Sequence, residues 1–180
     1  MITGCCRREV LGLRWEDMDF MGCRLHICNS VLHSSDIGVY QSTPKTKTSV
    51  RWVAVPPETI KLLREWKNYQ AKEATHLGDY YRNNDDLLFT QDDGSPMHPD
   101  SVTTYLDRFS KKYGLPHINP HKFRHTMASM LIFNHVDPVS VSKRLGHSQV
   151  STTTDIYAHI MEEADQRSAD ILSIVFLKNA

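Results

Sequence analysis

Three pieces of backbone punctuation do most to restrict how this chain can fold. Asn119 or Pro120 opens one helix, Asp137-Pro138 caps another, and Gly146 stops it. A proline at the first helical position has its φ already set, and its missing N–H has no intrahelical partner there to lose. Glycine ends a helix because it enters the left-handed region without strain. Between these marks Phe123, Met127, Met130 and Leu131 recur at helical spacing, as do Val139, Val141 and Leu145. A further helix starts within Ser148 to Tyr157, and an amphipathic segment from Glu162 to Leu177 closes the chain.

Upstream the periodicity changes. Arg24 to His33 and Val50 to Val55 alternate apolar and polar residues, as half-buried strands do. The turn-rich stretches Ser34 to Gly38 and Thr43 to Ser49 lie between them. The pattern predicts a three-stranded antiparallel sheet with a basic loop, carrying Lys45 and Lys47, between its second and third strands. Helices are predicted over Thr3 to Leu13, with Thr3 as N-cap, and from Pro56-Pro57 to about Thr75, burying Ile60, Leu63 and Trp66 with Leu62 as a further candidate. Another follows His98-Pro99, with Val102, Tyr105, Leu106 and Phe109 on one face, and Leu87-Leu88-Phe89 reads as a short strand. The fold class is mainly α with a small three-stranded antiparallel sheet.

The 180 residues are 40% hydrophobic and 23% charged, the profile of one soluble globular domain. No apolar run approaches the roughly 20 residues a membrane span requires. The start, MITGCCRREV, has no signal-peptide core, so a cytoplasmic protein is expected. Cys5, Cys6, Cys23 and Cys28 form no CxxC pair, and reduced thiols are expected there. Net charge is zero, yet the basic residues are unevenly placed. Lys111, Lys112, Lys122, Arg124, Lys143 and Arg144 face only Asp137 and Asp155 between positions 111 and 160. Lys45, Lys47 and Arg51 stand in a stretch with no acid. Local basic surface matters more for phosphate contact than the total charge does.

His121 and Arg124 are three residues apart and share a helix face. Arginine offers a planar, permanently charged fork for phosphate, and histidine exchanges a proton near neutral pH. Taken alone, the pair is more simply a helix-start histidine and a surface arginine. His147, just past the Gly146 stop, can donate to a phosphate oxygen or cap helical carbonyls. Tyr157 has a free pKa of about 10 and needs a cationic setting to act as a nucleophile; by itself it is more simply a packing residue.

Read together, the motifs are more specific. His121-Lys-Phe-Arg-His-Thr, then Leu145-Gly-His-Ser, then Thr153-Thr-Asp-Ile-Tyr-Ala-His resembles the tyrosine recombinase (phage integrase) family. The stretches Glu9-Val-Leu-Gly-Leu-Arg-Trp-Glu-Asp-Met-Asp and Pro44-Lys-Thr-Lys-Thr-Ser-Val-Arg fit the same family in order. The likeness covers nearly the whole chain and looks closest to integrases of Gram-positive conjugative transposons and prophages. It implies site-specific DNA recombination through a 3′-phosphotyrosyl intermediate, with Tyr157 as nucleophile. His121 would manage its proton, Arg124 would hold nonbridging oxygens, and His147 would add a hydrogen bond. Lys47, preferred over Lys45, would protonate the leaving 5′ oxygen. Lys45, Arg51, Lys122 and Arg144 are the expected DNA contacts. The resemblance implies double-stranded DNA as partner, self-association as a tetramer on DNA, and neither metal nor other cofactor.

One motif departs from the pattern. The family reads Thr-Gly-x-Arg-x-x-Glu, whereas this chain reads Thr3-Gly4-Cys5-Cys6-Arg7-Arg8-Glu9, so Cys6 holds the place of the first catalytic arginine. Arg7 is one position on, about 100° round a helix. The alternative reading is therefore an inactive, truncated integrase that only binds DNA or partner subunits. Residues 1–168 would form the catalytic domain, with its N-terminal part and a DNA-binding domain upstream. Residues 169–180 form an apolar tail that docks either on its own domain or on a neighbouring protomer. A metallohydrolase built on His117, His121, His125 and His147 fits poorly, because Pro120 interrupts a common helix and no HExxH glutamate is present.

Overall fold

A computed structural model describes residues 2–43, 47–149 and 151–177. The chain begins with α1 (Arg7–Leu11) and a 3-10 turn (Trp15–Asp17), then β1 (Met18–Asp19), β2 (Arg24–Ile27), β3 (Ser30–Ser34) and β4 (Gly38–Ser42). A second 3-10 turn (Lys47–Ser49) leads into β5 (Arg51–Ala54) and α2 (Pro57–Leu77). The helices α3 (Asp100–Lys112), α4 (Pro120–Phe133), α5 (Pro138–Leu145) and α6 (Ser151–Leu177) complete it. The fold is mostly helical with a small antiparallel sheet. Among the described residues, no helix is long and apolar enough to cross a membrane.

The punctuation acts as its chemistry dictates. Asn119 Oδ1 accepts the Lys122 N–H at 2.9 Å, and Asp137 Oδ1 accepts that of Ser140 at 2.9 Å. Each satisfies an amide that the first helical turn leaves without a partner. Gly146 ends α5 at φ 69°, in the left-handed region. A Cβ there would also stand 2.7 Å from Arg51 Nη1, so the position excludes side chains twice over.

The sheet differs from expectation. The alternating run from Arg24 to His33 is two strands, β2 and β3, parted at Cys28-Asn29. β2 lies between β1 and β5, with Leu25 opposite both Met18 and Val53. β3 pairs only with β4, as a separate hairpin with Val31 opposite Gln41. The third strand of the sheet is thus the two-residue β1, which is too short to announce itself by alternation. Gly12 helps part the hairpin from the sheet: its backbone lies so close to β3 that a Cβ would be 2.7 Å from the Ser30 Cα.

Other boundaries move as well. Thr3 does not cap a helix to Leu13; α1 starts after Cys6, and Thr3 Oγ1 accepts the Cys5 N–H at 3.3 Å instead. Leu87 makes a single bridge with Arg14 rather than a strand. The two segments expected after Ser148 are one helix, α6. On α3, Tyr105 and Phe109 face outward, and α3's buried residue is Ser110.

Two cores result. Leu13, Trp15, Leu25, Ile27, Val53, Ile60 and Leu88 form one between the sheet and α2, with Leu63 and Trp66 packed on it. Complete burial of a side chain such as Ile27 or Leu88 contributes about 1.5–3 kcal/mol. Trp15 Nε1 donates to Gln70 Oε1 at 2.8 Å, and Gln70 Nε2 donates to the Leu88 carbonyl at 3.1 Å, so the one buried amide of α2 is satisfied. The second core, Met127, Ala128, Ile132, Val141 and Leu145, joins α4 to α5.

An ion pair links these two bodies. Arg51 Nη1 lies 2.8 Å from Glu9 Oε1, with side chains only 7% and 12% exposed. Arg51 Nη2 donates to Glu9 Oε2 at 3.2 Å, and Nε donates to the Arg144 carbonyl at 2.6 Å. Arg51 therefore ties α1, β5 and the end of α5 together. Removing one member of such a pair leaves the other charge buried, at about 3–5 kcal/mol. Glu9→Gln should lose stability of that order in denaturant unfolding. Combining it with Arg51→Met should cost less than the sum of the two single changes; strict additivity would refute the coupling.

Candidate active site

Arg124 sits on α4 one turn beyond the Asn119 cap, and its guanidinium is held from two sides. Nη1 donates to the Gly4 carbonyl at 2.8 Å and Nη2 to the Leu145 carbonyl at 2.6 Å. Glu9 Oε2 stands 3.9 Å from Nη1. Two of the five guanidinium N–H bonds are thereby engaged by backbone carbonyls. Burial lowers the Arg124 pKa, Glu9 raises it, and Arg51 lowers it again; the net shift is downward.

Glu9 is the counter-ion to this pair of arginines. Burial alone would raise its pKa, but the hydrogen bond and charge of Arg51, the Cys6 amide and the charge of Arg124 outweigh it. Its carboxyl titrates below its ordinary value. The Cys6 N–H donates to Glu9 Oε2 at 2.8 Å, so the residue that neutralises the arginines also caps α1.

A cleft of about 510 Å³ opens over these groups, lined among others by Cys6, Arg7, Arg8, Asn119, His121 and Arg124. His121 and Arg124 are thus brought together as their spacing predicts. Arg7 reaches the same cleft, but its Nη1 is 2.7 Å from Asp100 Oδ1 and 2.7 Å from Thr103 Oγ1 on α3. His121 Nε2 lies 3.2 Å from His125 Nε2. His117 is off the helix, 3.5 Å from Asp107 Oδ1, so the three histidines do not share a helix.

His147 follows the Gly146 cap, where its amide bonds the Ser142 carbonyl at 3.1 Å. Its Nδ1 is 2.9 Å from Thr153 Oγ1, a residue with no exposure. Burial, then the charges of Arg124, His125, Arg51 and His121, push its pKa down to about 4. Tyr157 is 39% exposed on α6, one turn beyond Thr153. Thr153 and Tyr157 share a helix face, so the bond to His147 also sets the face that carries Tyr157. Neither His147 nor Tyr157 is among the residues lining the cleft.

The basic contacts divide. Arg51, expected as a DNA contact, is 9% exposed and paired with Glu9. Arg144 Nη2 donates to the Ile2 carbonyl at 3.0 Å and the Ala54 carbonyl at 2.9 Å, which ties the chain start to β5. Lys122 is exposed beside His121. Lys45 lies outside the described residues, as does the side chain of Lys47. Sequence reasoning missed Glu9 as the charge centre and Thr153 as the holder of His147. The Cys6-x-x-Glu9 spacing of a capping box was the available signal for the first; the run Thr152 to Thr154 gave none for the second.

Arg124 with two fixed N–H groups and His147 with a lowered pKa thus lie in a mostly helical domain. The chain belongs to the phage integrase family, whose model matches residues 1–164. It is 29% identical over 185 residues to the tyrosine recombinase XerC-like protein of Caldanaerobacter subterraneus subsp. tengcongensis, covering 97% of this chain and 47% of that protein. It is 32% identical over 171 residues to the ICEBs1 integrase of Bacillus subtilis, covering 95% of this chain and 46% of the relative. The chain thus spans under half the length of these relatives. Among solved structures, the Tn1549 transposon integrase in complex with transposon right end DNA superposes with TM-score 0.77 at 23% identity, covering 96% of this chain and 56% of that one. The XerA recombinase gives 0.66 at 22% identity, over 93% and 54%. Both share the fold.

Because the folded His147 pKa is about 4 against an ordinary 6.5, the unfolded chain binds more protons between these values. Stability from this group is fully present above about pH 6.5 and is lost as pH falls toward 4. Urea unfolding of His147→Gln should show a shallower pH dependence in that window than the parent. Parallel curves would refute the assignment.

Proposed function

We propose that this chain is the catalytic part of a cytoplasmic site-specific recombinase acting on double-stranded DNA. The observation that carries the reading is Arg124, its fork anchored on the Gly4 and Leu145 carbonyls and beside a neutral His147. Tyr157 Oη would attack the phosphorus and form a 3′-phosphotyrosyl bond while the bond to the 5′ oxygen breaks. His121 would take the tyrosine proton, and Lys47, or Lys45, would give one to the departing 5′ oxygen. Arg124 and His147 would hold the nonbridging oxygens, where negative charge concentrates in the transition state. A second 5′ hydroxyl reverses the attack. The phosphotyrosyl bond retains the energy of the broken link, so neither metal nor nucleotide is needed. Lys122 and Arg144 would contact the DNA backbone. The DNA complex of the related-fold Tn1549 integrase supports DNA as the partner.

Cys6 favours a second reading, a chain that binds DNA and cleaves it poorly. The residue at the cleft is a thiol, and the guanidinium of neighbouring Arg7 is paired with Asp100. Loss of one fixed donor costs about 100- to 1000-fold in rate. On a suicide DNA substrate, Cys6→Arg should raise covalent adduct formation by at least about 100-fold, and Tyr157→Phe should abolish it. Equal rates for Cys6→Arg and the parent would sink the second reading; an adduct in Tyr157→Phe would sink the first.

The tail supports self-association. Ile171, Leu172 and Ile174 are 60%, 55% and 54% exposed on the last turns of α6. Docking on a neighbouring protomer, as in a tetramer on DNA, would cover such apolar surface. Sedimentation should show concentration-dependent association that disappears when residues after Ser168 are removed. A parent that stays monomeric at all concentrations, with or without DNA, would overturn this.

A further inference from the structure

Away from the cleft, three side chains of different chemistry converge where the first 3-10 turn meets the sheet. Asp17 closes that turn, His26 stands in β2, and Cys28 directly follows the strand's last residue, Ile27. Their potential ligand atoms all lie within 4.8 Å of one another. Cys28 Sγ is already 3.0 Å from Asp17 Oδ1. Antiparallel pairing of β1 with β2, Met18 opposite Leu25, sets the end of the turn beside the strand that carries His26.

Asp17 is the unusual member. It is 6% exposed, and among the described residues its carboxylate accepts from the Cys28 thiol and the Arg14 backbone N–H, the latter at 3.0 Å. The nearby guanidinium of Arg14 is directed to Glu16 at 3.0 Å and to Gln41 at 3.0 and 2.7 Å. Among the described residues no lysine or arginine pairs with Asp17. A buried carboxylate without a cation is costly unless something supplies the positive charge. His26 is held by stacking on Trp52, with centroids 4.7 Å apart and planes at 17°, which leaves its ring nitrogens at the edge of the stack.

We propose that Asp17, His26 and Cys28 bind one zinc-class divalent ion, with water as fourth ligand on the half-exposed side. A mixed O, N and S donor set suits zinc and disfavours magnesium and calcium. Zinc takes sulfur at about 2.3 Å and nitrogen or oxygen at about 2.0–2.2 Å, so its ligand atoms sit roughly 3.5 Å apart. Side-chain rotation by about 1 Å would bring this trio to that spacing. On binding, the Cys28 thiol gives its proton to solvent and the thiolate, the neutral imidazole and the Asp17 carboxylate become ligands; nothing is oxidised or reduced. The ion would pin the turn after α1 to the central strand of the sheet. The proposal is independent of the DNA reading.

Cobalt(II) titration of the chelator-treated chain tests it. One equivalent should produce a thiolate-to-cobalt charge-transfer band that zinc then removes. Cys28→Ser should lose the band, His26→Gln should weaken binding by at least about tenfold, and His125→Gln, on α4 and outside the trio, should leave it intact. No thiolate band, a band that survives Cys28→Ser, or loss of the band in His125→Gln would each overturn the site. Should Cys28→Ser fail to fold, alkylation of the parent chain decides: zinc should slow iodoacetamide labelling of Cys28 at least about tenfold relative to Cys23. Equal labelling with and without zinc would refute it.

Discussion

Glu9 accepts both Nη groups of Arg51, at 2.8 and 3.2 Å, and stands 3.9 Å from Arg124. Two guanidinium groups share one carboxylate in a place where water reaches little of any of them. Neither arginine could be buried without it, since an unpaired interior charge is far costlier than the pair. Arg51 and Arg124 also bond successive carbonyls at the end of α5, those of Arg144 and Leu145. A helix C-terminus with exposed carbonyls attracts cations. One carboxylate and one helix end therefore hold α1, β5, α4 and α5 in a fixed relation.

That arrangement makes the cleft a prepared one. Arg124 has its orientation set by two carbonyls, and a group so held would lose little freedom on taking an anion. The same basic surroundings, together with burial, hold His147 neutral, which leaves it a hydrogen-bonding group and not a further charge. Cys6 interrupts the pattern. Its amide serves the Glu9 cap as any residue's would, but its side chain contributes no charge to a cleft built around charge.

The helices were legible because their signals are local. Asn119, Asp137, Pro138 and Gly146 act within one turn of themselves, and α4 and α5 begin and end where those residues require. The sheet was less so: Arg24 to His33 keeps one alternation through two strands that belong to different sheets, and only contacts with α1 and β5 separate them. At the site, His121 and Arg124 were readable from their i, i+3 spacing. Arg51 was not. Its sequence neighbours Ser49, Val50 and Trp52 look like those of any surface cation on a strand, and its acid lies 42 positions away.

The order of the motifs fixed which residues this protein has to work with and, through the resemblance, the family to which it belongs. Tertiary structure decided which charges are buried and which remain for a ligand. It turned Arg51 inward, gave Arg7 to Asp100, placed Thr153 behind His147 and left Ile171, Leu172 and Ile174 of α6 exposed. The reason is range. Caps, turns and helix stripes are set within a few residues, whereas the fate of a charge depends on desolvation and on partners that only folding brings near.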